Sequence, residues 1–502
     1  MKTETREIWR KYTSEENFAR IREMESVSEM WRFCAAEYAD RTAISDNGAD
    51  YSYARLESEA ARMRAALGGE SARGARVALL IPNSYSFVRA YIAAVTLGCT
   101  AVVLPAHLDD RSVYGCCMKF GVSKLVYAPE LAEKTALAAK LNGALELISA
   151  EALGEESVPA QDVKGSEGCV VMFTGGTTGK SKGALLSNTA VMQGTVNGCY
   201  GVPEPFEQRY LLILPLSHVF GLIRNLMTSL YTGSAMFICR NNKDMFRDVA
   251  VFRPTIMVMV PALAEMALTL SKKFGRNMLG DDLKVIICGA AAVAPYLVGE
   301  YDKLGIALLP GYGLTESANL VSGNPESVKR PESVGIMFPN QEYRIENGEL
   351  WLKGLNMMDG YVGEDEPEAY CDGWFRTGDL VRVDEDGYLY ITGRIKEIIV
   401  LPSGENISPA ELEARFNALS CIQDSQVFES ENELGQSVLA LEVVPRMTEL
   451  AGLAPDEMRA FVVSELEKVN ASLPAFQRVS RISVRDKDFD RTPSMKIARY
   501  RK

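Results

Sequence analysis

The sequence predicts an α/β fold with a large N-terminal domain and a small α+β C-terminal domain. The chain has 502 residues, of which 47% are hydrophobic, so it can bury a large core and is long enough for two or three domains. Short apolar runs alternate with amphipathic, alanine-rich stretches over much of its length. That alternation is typical of parallel sheets covered by helices. The pattern then changes twice, near Gly348 and again after Lys396.

Runs rich in β-branched residues predict the strands of the N-terminal domain. They lie at residues 77–81, 101–104, 124–126, 169–173, 210–214, 235–238, 255–260 and 284–287. Amphipathic stretches such as 53–67 and 88–97 predict helices between them. Because strands and helices alternate, we expect the sheets to be largely parallel.

From Gly348 the sequence predicts antiparallel or barrel-like strands. The segments GELWLKG and DGWFRTGDLVRVDEDGYLYITGR contain short runs separated by Gly and Asp turns. Glu385, Asp386 and Gly387 stand between two alternating runs, which indicates a β-hairpin. We therefore expect a barrel-like β segment to complete the N-terminal domain, which spans residues 1–395.

A separate C-terminal domain is predicted for residues 396–502. The segment SPAELEARFNAL predicts a Ser-capped helix. A strand at 437–444, a helix at 455–470 and a basic, strand-like end follow it. This order of short elements is typical of a small α+β unit.

Composition excludes several classes of function. A net charge of −12 argues against general affinity for nucleic acids, which depends on Lys and Arg. His107 and His218 are too few for a histidine-rich metal site. Ten scattered cysteines without paired spacing indicate reduced thiols and a cytoplasmic protein. Apolar runs are too short for a transmembrane segment, and the charged N-terminus does not resemble a secretory signal.

The stretch TGGTTGKSKG, from Thr174 to Gly183, predicts a phosphate-binding loop. Glycines let backbone N–H groups approach phosphate oxygens, while threonine hydroxyls and lysines add donors and charge. A Walker A loop would need glycine where Thr174 stands, so that motif fails by one residue. A flexible surface turn is the structural alternative. The candidate phosphate-binding residues are Thr174, Gly175, Gly176, Thr177, Thr178, Gly179 and Lys182.

Further segments follow in an order that is more informative than any one of them. They are LPLSHVFGL around His218, CGAAAVAP at 288–295, GYGLTES at 311–317, GWFRTGDL at 373–380, ITGRIKE around Arg394, IVLPSGENISPAELE at 399–413 and RTPSMKIAR at 491–499. A lone histidine, or an aspartate in a glycine turn, is usually structural. A structural role for each residue does not explain why all these segments occur together in this order.

Together these segments resemble the AMP-forming, adenylating superfamily of acyl-CoA synthetases, luciferases and peptide-synthetase adenylation domains. The glycine-rich loop is similar to the superfamily signature T-S-G-T-T-G-x-P-K-G, with Gly175 in place of Ser and Ser181 in place of Pro. Met495 stands before Lys496, where the family usually has glycine. This variation and the IVLPSG spacing resemble the long-chain fatty-acyl-CoA synthetases most closely.

The resemblance implies a nucleotide site built from several segments. Tyr312 would lie against adenine, Thr315 would donate to the α-phosphate, and Glu316 would ligate Mg²⁺ through its carboxylate. Asp379 would accept hydrogen bonds from both ribose hydroxyls, with Arg394 as a second ribose contact. The remaining nucleotide-binding candidates are Gly289, Ala290 and Ala291, which would flank adenine, and Gly311 and Gly313 of the GYG block.

The resemblance also implies catalytic residues and a moving domain. Lys496 would bridge the attacking carboxylate and the α-phosphate, and His218 would border the carboxylate pocket. Residues Ser403 and Gly404 would contact the pantetheine arm of coenzyme A. The C-terminal domain is therefore expected to be mobile and to rotate about Lys396 between two steps.

The activity implied is that of a two-step ligase that uses ATP, Mg²⁺ and coenzyme A. A carboxylate attacks the α-phosphate of ATP and displaces pyrophosphate, and a thiol then attacks the acyl-adenylate. The apolar run 222–230 and the many methionines predict a hydrophobic, fatty acid as substrate, with an aryl acid as the competing prediction. The absence of an aspartate near His218 disfavours an α-amino acid.

Three other functions remain open at this point. The same site can load an acyl group onto a carrier protein instead of coenzyme A. A non-catalytic acyl- or nucleotide-binding relative would share the fold, although it would not need Lys496. An unrelated P-loop NTPase is disfavoured by Thr174 at the position of the first Walker A glycine.

Overall fold

Helices and strands alternate along most of the chain. A computed structural model describes residues 2–174, 182–363, 369–401, 405–431, 437–491 and 497. The α-helices are α1 Lys2–Arg10, α2 Glu15–Arg20, α3 Val27–Glu37, α4 Tyr53–Ala66, α5 Tyr85–Thr96, α6 Asp110–Lys119, α7 Ala136–Leu141, α8 Asn188–Asn197, α9 Thr228–Tyr231, α10 Met245–Phe252, α11 Pro261–Phe274, α12 Pro295–Lys303, α13 Pro409–Asn417 and α14 Pro455–Ser472. A π-helix covers Phe220–Met227, and 3₁₀ turns cover Gly69–Ala72, Pro129–Thr135, Asn242–Asp244, Thr315–Ser317, Ile395–Glu397 and Ala475–Gln477.

The strands form three larger sheets and two smaller ones. They are β1 Thr42–Asp46, β2 Ala49–Ser52, β3 Arg76–Leu80, β4 Thr100–Val103, β5 Lys124–Tyr127, β6 Glu146–Ser149, β7 Gly168–Phe173, β8 Gly183–Ser187, β9 Arg209–Leu212, β10 Ala235–Ile238, β11 Ile256–Met259, β12 Val285–Cys288, β13 Ala307–Leu314, β14 Asn319–Gly323, β15 Ile336–Met337, β16 Gln341–Glu346, β17 Glu349–Gly354, β18 Gly360–Tyr361, β19 Tyr370–Cys371, β20 Trp374–Val383, β21 Leu389–Arg394, β22 Ile399–Val400, β23 Asn406–Ile407, β24 Ile422–Glu431, β25 Ser437–Pro445 and β26 Arg481–Val484.

The seven-stranded sheet carries the glycine-rich loop at one end. Its order is β18-β8-β7-β4-β3-β5-β6, and β7, β4, β3, β5 and β6 are parallel. Strand β8 returns antiparallel to β7, with Phe173 opposite Gly183. The loop of residues 174–182 therefore connects two paired strands and is anchored at both ends.

The nine-stranded sheet lies on the other side of a shared helical layer. Its order is β15-β14-β13-β12-β11-β9-β10-β1-β2, with parallel strands from β1 through β13 and antiparallel strands at both ends. Helix α5 is buried along nearly its whole length and contacts strands of both sheets. A helix that is apolar on every side is stable only in such a position.

A five-stranded antiparallel sheet follows, in the order β16-β17-β20-β19 with β21 on β20. Gly387, with φ of 83°, lies in the turn between β20 and β21, where a left-handed backbone favours glycine. The register of this hairpin places Asp379 directly opposite Arg394. The predicted antiparallel segment and its hairpin are therefore confirmed.

The C-terminal residues have a hydrophobic core of their own. Its buried side chains lie between Ile407 and Val479, on α13, α14 and the sheet β24-β25-β26. Helix α13 contacts β21, and a Cβ at Gly393 would lie 2.2 Å from the Ser408 Oγ. Only glycine allows this close approach. The Ser408 hydroxyl donates to the Thr392 carbonyl at 2.7 Å, so it does not cap α13, and the predicted side-chain cap is wrong.

The predicted α/β class is confirmed, with strands at all eight predicted runs and bounds within about two residues. Two elements near the candidate site differ from the prediction. The sequence predicted a helix from Ser187, and α8 follows that residue, but the strand β8 between the loop and this helix was not predicted. The run after His218 forms a π-helix and then the short α9.

All ten cysteines belong to the described residues, and none of them forms a disulfide. Burial raises the pKa of several of their thiols, to about 12 for Cys99 and Cys169. Among the described residues, we find no helix with the length and apolar character needed to cross a membrane.

Candidate active site

The base of the glycine-rich loop is closed by backbone hydrogen bonding. The Thr174 N–H donates to the Lys182 carbonyl at 2.9 Å, which extends the pairing of β7 and β8 by one step. Thr174 is buried at this point. The candidates Gly175, Gly176, Thr177, Thr178 and Gly179 lie outside the described residues, so their phosphate contacts stay predictions.

Tyr361 connects the loop to the candidate metal ligand. Strand β18 pairs with β8, which places Tyr361 opposite Ala184 and close to the end of the loop. The Tyr361 hydroxyl donates to a Glu316 carboxylate oxygen at 2.7 Å, and the Lys182 ammonium lies 4.9 Å from the Tyr361 ring centroid. One aromatic side chain thus contacts both the loop lysine and Glu316.

Glu316 is held in a tight turn between β13 and β14. Thr315 and Ser317 belong to the same 3₁₀ turn and are buried, and the Met358 N–H donates to the Glu316 carbonyl at 2.8 Å. The turn ends at Ala318, whose φ of 49° is left-handed and rare for a residue with a Cβ. Strain of this kind often occurs where a functional side chain must be fixed.

Tyr312 and Arg394, both half-buried, form a polar cluster around the buried carboxylate of Asp379. The Tyr312 hydroxyl donates to one Asp379 oxygen at 2.5 Å, and Arg394 donates to both Asp379 oxygens at 2.6 and 3.3 Å. Burial, followed by the neighbouring Asp379 carboxylate, raises the pKa of Tyr312 well above its usual range. The phenol therefore stays protonated and remains a donor. The sequence predicted all three residues, and the structure brings them together.

The Asp379 turn is fixed by the side-chain hydroxyl of Thr377. The Thr377 hydroxyl donates to the Leu350 carbonyl at 2.7 Å and accepts from the Asp379 N–H at 3.0 Å. Gly378, with φ of 72°, makes the intervening bend. The turn thus positions the carboxylate at the end of the motif GWFRTGD.

Two further candidate segments lie at the ends of parallel strands. Gly289 follows β12, and a Cβ there would lie 2.9 Å from the Gly311 carbonyl oxygen, so this close approach favours glycine. Ala290 has a left-handed φ of 65°, and Ala291 follows it. Gly313 approaches the Asn319 carbonyl even more closely, since a Cβ there would lie 2.0 Å from its oxygen.

His218 lies next to this region, at the start of the π-helix. Its Nδ1 accepts from the Phe220 N–H at 3.2 Å, so a neutral ring carries its proton on Nε2. Phe220 in turn approaches Gly289, where a Cβ would lie 3.4 Å from its ring. The π-helix, the residues after β12 and the end of β13 therefore meet at one place, with His218 at its edge.

Lys496, Ser403 and Gly404 lie outside the described residues, so the catalytic and pantetheine contacts predicted for them stay predictions. Lys396, the proposed hinge, is exposed in the 3₁₀ turn Ile395–Glu397 directly after β21. Tyr361 was not predicted from the sequence. Its role depends on the pairing of β18 with β8, and no motif in the sequence signals that pairing.

The donor set suits Mg²⁺ better than a metal held by protein alone. No group of three or more His, Cys, Asp or Glu side chains is arranged to hold a metal ion within the described residues. Mg²⁺ usually binds one or two carboxylates together with substrate phosphates. A single carboxylate, Glu316, oriented by Tyr361 near the loop fits that pattern.

Comparison with known proteins agrees with this arrangement. The family model for AMP-binding enzymes matches residues 31–362, and the model for the AMP-binding enzyme C-terminal domain matches residues 396–501. A feruloyl-CoA synthase from Amycolatopsis sp is 30% identical over 392 residues, which are 74% of this chain and 79% of that protein. A long-chain-fatty-acid–CoA ligase from Yersinia pestis is 27% identical over 499 residues, with coverage of 86% and 87%.

The fold is also found in solved structures. The anthranilate CoA ligase AuaEII in complex with anthranoyl-AMP aligns with a TM-score of 0.84 at 18% identity, covering 94% of this chain and 95% of that one. At this identity the likeness concerns the fold. With the two family models and the curated relatives, it leads to one conclusion: this chain belongs to the AMP-binding enzyme family.

Proposed function

We propose that this protein is an ATP-dependent, AMP-forming acid–thiol ligase that converts a carboxylic acid to its acyl-adenylate and then to a coenzyme A thioester. The cluster of Tyr312, Asp379 and Arg394 carries the proposal, together with Glu316 and Tyr361. These side chains come from four separate segments and combine a buried carboxylate with fixed donors. Such a set suits a ribose and a polyphosphate better than it suits core packing.

In the first step, the acid carboxylate would attack the α-phosphate and pyrophosphate would leave. Reactions at phosphorus depend mainly on positioning and on neutralising charge. Lys182 and the loop residues are suited to hold the phosphates, Thr315 to donate to the α-phosphate, and Asp379 to fix the ribose. Mg²⁺, with Glu316 as its protein ligand, would neutralise phosphate charge when bound.

Lys496 is proposed to stabilise the developing charge at the α-phosphate. Replacing it with alanine should lower acid-dependent ATP–pyrophosphate exchange at least about 100-fold, because a fixed cation at the reacting centre is lost. Lys487→Ala, an exposed lysine of the same C-terminal region, is the matched control and should leave exchange unchanged. Undiminished exchange in Lys496→Ala would contradict the role given to this residue.

We propose that residues 396–502 form the C-terminal domain. The second step needs a different surface of this domain. The loop containing Ser403 and Gly404 would contact the pantetheine arm after a rotation at Lys396. The acceptor is either coenzyme A or a carrier protein. Measuring the yield of thioester with each of the two shows which one it is. A non-catalytic binding protein would give no pyrophosphate exchange with any acid.

The acid itself is less constrained by these residues. Relatives of this chain are named for an aryl acid and for long-chain fatty acids. The hydrophobic, fatty substrate and its aryl competitor therefore both stay predictions, as do fatty acid metabolism as the pathway and the cytoplasmic location. Pyrophosphate exchange with a panel of fatty, aryl and dicarboxylic acids distinguishes a fatty substrate from an aryl substrate.

A further inference from the structure

A cavity lies directly beside the candidate acid site. Its free volume is about 20 Å³, and its wall includes Gly311, Ile287 and Asn197. Trp9 of α1 and Phe338 also line it. A cavity needs about 10–15 Å³ to hold one water molecule, so this one has room for one or two water molecules or for a single carboxylate group.

Arg224 of the π-helix lines this cavity and is 2% exposed. Its Nη1 is buried without a hydrogen-bond partner, and no ion pair to its guanidinium is found within the described residues. A buried cation without a countercharge is costly, and it is rare unless a ligand supplies the charge.

The other buried arginines do not share this situation. Arg64 pairs with Glu57 at 2.5 Å, Arg89 with Glu59 at 2.8 Å, and Arg446 with Glu265 at 3.2 Å. Each therefore has the carboxylate that buried guanidinium groups require. Arg224, by contrast, has no carboxylate partner within the described part of the chain, so its positive charge is available to a bound anion.

Other unsatisfied polar atoms lie near the same guanidinium. The Asn197 Oδ1 and the Tyr210 hydroxyl are buried without partners, and Asn197 lines the cavity. Burial raises the pKa of the Tyr210 phenol, and the adjacent Arg224 opposes that rise, so the two side chains are neighbours. Tyr210 therefore stays protonated, and it lies behind the cavity wall against Arg224.

The position of Arg224 relative to the candidate acid site follows from two elements. Phe220 approaches Gly289, and Arg224 lies about one helical turn further along the same π-helix. Ile287, which lines the cavity with Arg224, lies two residues before Gly289 on the same face of β12. Two strand residues correspond to about 7 Å, so the part of the cavity wall that Ile287 forms lies about that far from Gly289 along the strand.

We propose that Arg224 binds a second, distal carboxylate of the substrate, so that the protein activates small dicarboxylic acids. The proposal rests on the proposed function, since it assigns the far end of the same acid site. The reacting carboxylate would lie near His218 and Gly289, and the distal one would supply the countercharge that Arg224 lacks. The planar guanidinium offers paired N–H donors that match both oxygens of a carboxylate.

Pyrophosphate exchange with matched acids tests this proposal in the wild-type enzyme. Straight-chain dicarboxylic acids from succinic to suberic acid are compared with monocarboxylic acids of the same carbon number. We expect kcat/KM to be at least about tenfold higher for the best dicarboxylic acid, because a charge-assisted hydrogen bond is lost in its monocarboxylic partner. Equal or higher values for the monocarboxylic acids would overturn the proposal.

Arg224→Met keeps the unbranched aliphatic part of the side chain and removes the guanidinium with its charge. This variant should lose the preference for dicarboxylic acids, whereas Arg224→Lys should retain part of it. Arg224→Met should also raise the melting temperature of the free protein, because a buried unpaired cation is replaced by an apolar group. Arg64→Met is the matched control and should lower the melting temperature, since it leaves Glu57 without its partner.

Thermal shifts separate failure of this proposal from failure of the proposed function. The best dicarboxylic acid should raise the melting temperature of the wild type and leave that of Arg224→Met unchanged. If no acid supports exchange, the proposed ligase activity is wrong. The change in melting temperature with the dicarboxylic acid then shows separately whether Arg224 binds a carboxylate. Equal shifts in both proteins, or none in the wild type at saturating acid, would overturn it.

Discussion

At the scale of single residues, Tyr361 joins two side chains that are distant in the sequence. Its hydroxyl donates to Glu316 and its ring faces the Lys182 ammonium. Glu316 and Lys182 could be proposed from the sequence because each belongs to a segment that resembles a family motif, and their roles stay predictions. The tyrosine could not be predicted in this way, since its position depends on a strand pairing between residues far apart in the chain.

Tyr361→Phe should weaken the use of Mg²⁺ while leaving the fold intact. Without the phenolic donor, the Glu316 carboxylate loses a charge-assisted hydrogen bond worth about 1.5–3 kcal/mol. We expect about a tenfold rise in the Mg²⁺ concentration that half-saturates pyrophosphate exchange. The measurement is exchange rate against Mg²⁺ at fixed ATP and acid.

The matched control for this substitution is Tyr370→Phe, which removes a phenol that donates to the Met358 carbonyl at 2.9 Å. It should leave the Mg²⁺ dependence unchanged, even if it lowers stability slightly. An identical Mg²⁺ profile for Tyr361→Phe and the wild type would show that the contact with Glu316 has no part in the reaction.

At the scale of elements, helix α8 supports the turn that carries Glu316. Gly194 lies in the middle of α8, and a Cβ there would lie 2.0 Å from the Ala318 carbonyl oxygen. The sequence predicts a helix after Ser187, but the approach of Ala318 is a tertiary contact that it does not reveal. Strand β8 was missed for a related reason, since a five-residue strand beside a glycine-rich loop has too little periodicity to be recognised.

Gly194→Ala should destabilise the protein, whereas Gly299→Ala should stabilise it. Both glycines are inside helices, and alanine is favoured there by about 1 kcal/mol. Around Gly299 no atom lies within 4 Å of an added Cβ, so the propensity gain is expected in full. At Gly194 the backbone must move, and we expect a loss of about 2 kcal/mol or more.

Urea unfolding gives the free energy of unfolding for both variants, and the two shifts should have opposite signs. Activity adds a second readout, because a displaced Ala318 turn should also lower pyrophosphate exchange in Gly194→Ala. A stabilising effect of Gly194→Ala would mean that α8 and the turn are not packed as described.

At the scale of the whole molecule, the C-terminal residues contact the rest of the chain through polar side chains. Arg446 pairs with Glu265 at 3.2 Å and its guanidinium lies 3.9 Å from the Tyr296 ring centroid, while Glu449 pairs with Lys272 at 3.1 Å. A polar interface of this kind can open without exposing a large apolar surface. The class of fold and the order of elements were predictable from periodicity. These contacts between distant segments were not.

Lys396→Pro tests the proposed hinge. Proline fixes φ near −65°, so the rotation between the two steps should be blocked while one arrangement of the domains persists. We expect pyrophosphate exchange to be spared and thioester formation with coenzyme A to be abolished. Lys396→Ala keeps the backbone free and should support both steps. A folded proline variant that loses both activities would contradict the hinge.

Asp424 makes the stability of the C-terminal region depend on pH. Burial, together with nearby Glu265 and Asp488, raises its pKa to about 6 even though Arg491 opposes the rise. The unfolded chain has the ordinary aspartate pKa of about 3.9, so the folded-state pKa is the higher one. This carboxyl therefore stabilises the fold fully below about pH 4, and the contribution is lost as the pH rises through 6.

Asp424→Asn should flatten this dependence. An amide mimics the protonated carboxyl, so the change in unfolding free energy between pH 4 and pH 7 should shrink by about 2–3 kcal/mol relative to the wild type. Urea unfolding across this range measures it, with the exposed Asp302→Asn as control. An unchanged pH profile would show that Asp424 ionises normally in the folded protein.

Helix α1 lines the same cavity as residues of the nine-stranded sheet. The Trp9 indole donates to the Met337 carbonyl at 3.1 Å and stacks on Phe338 with 4.8 Å between the ring centroids, and both aromatic side chains line the cavity. Under the proposed assignment of this cavity to the acid, an engineer who transplants pocket residues between relatives to change their preferred acid would have to transfer this helix as well. Without it, the grafted chamber would lack one of its walls.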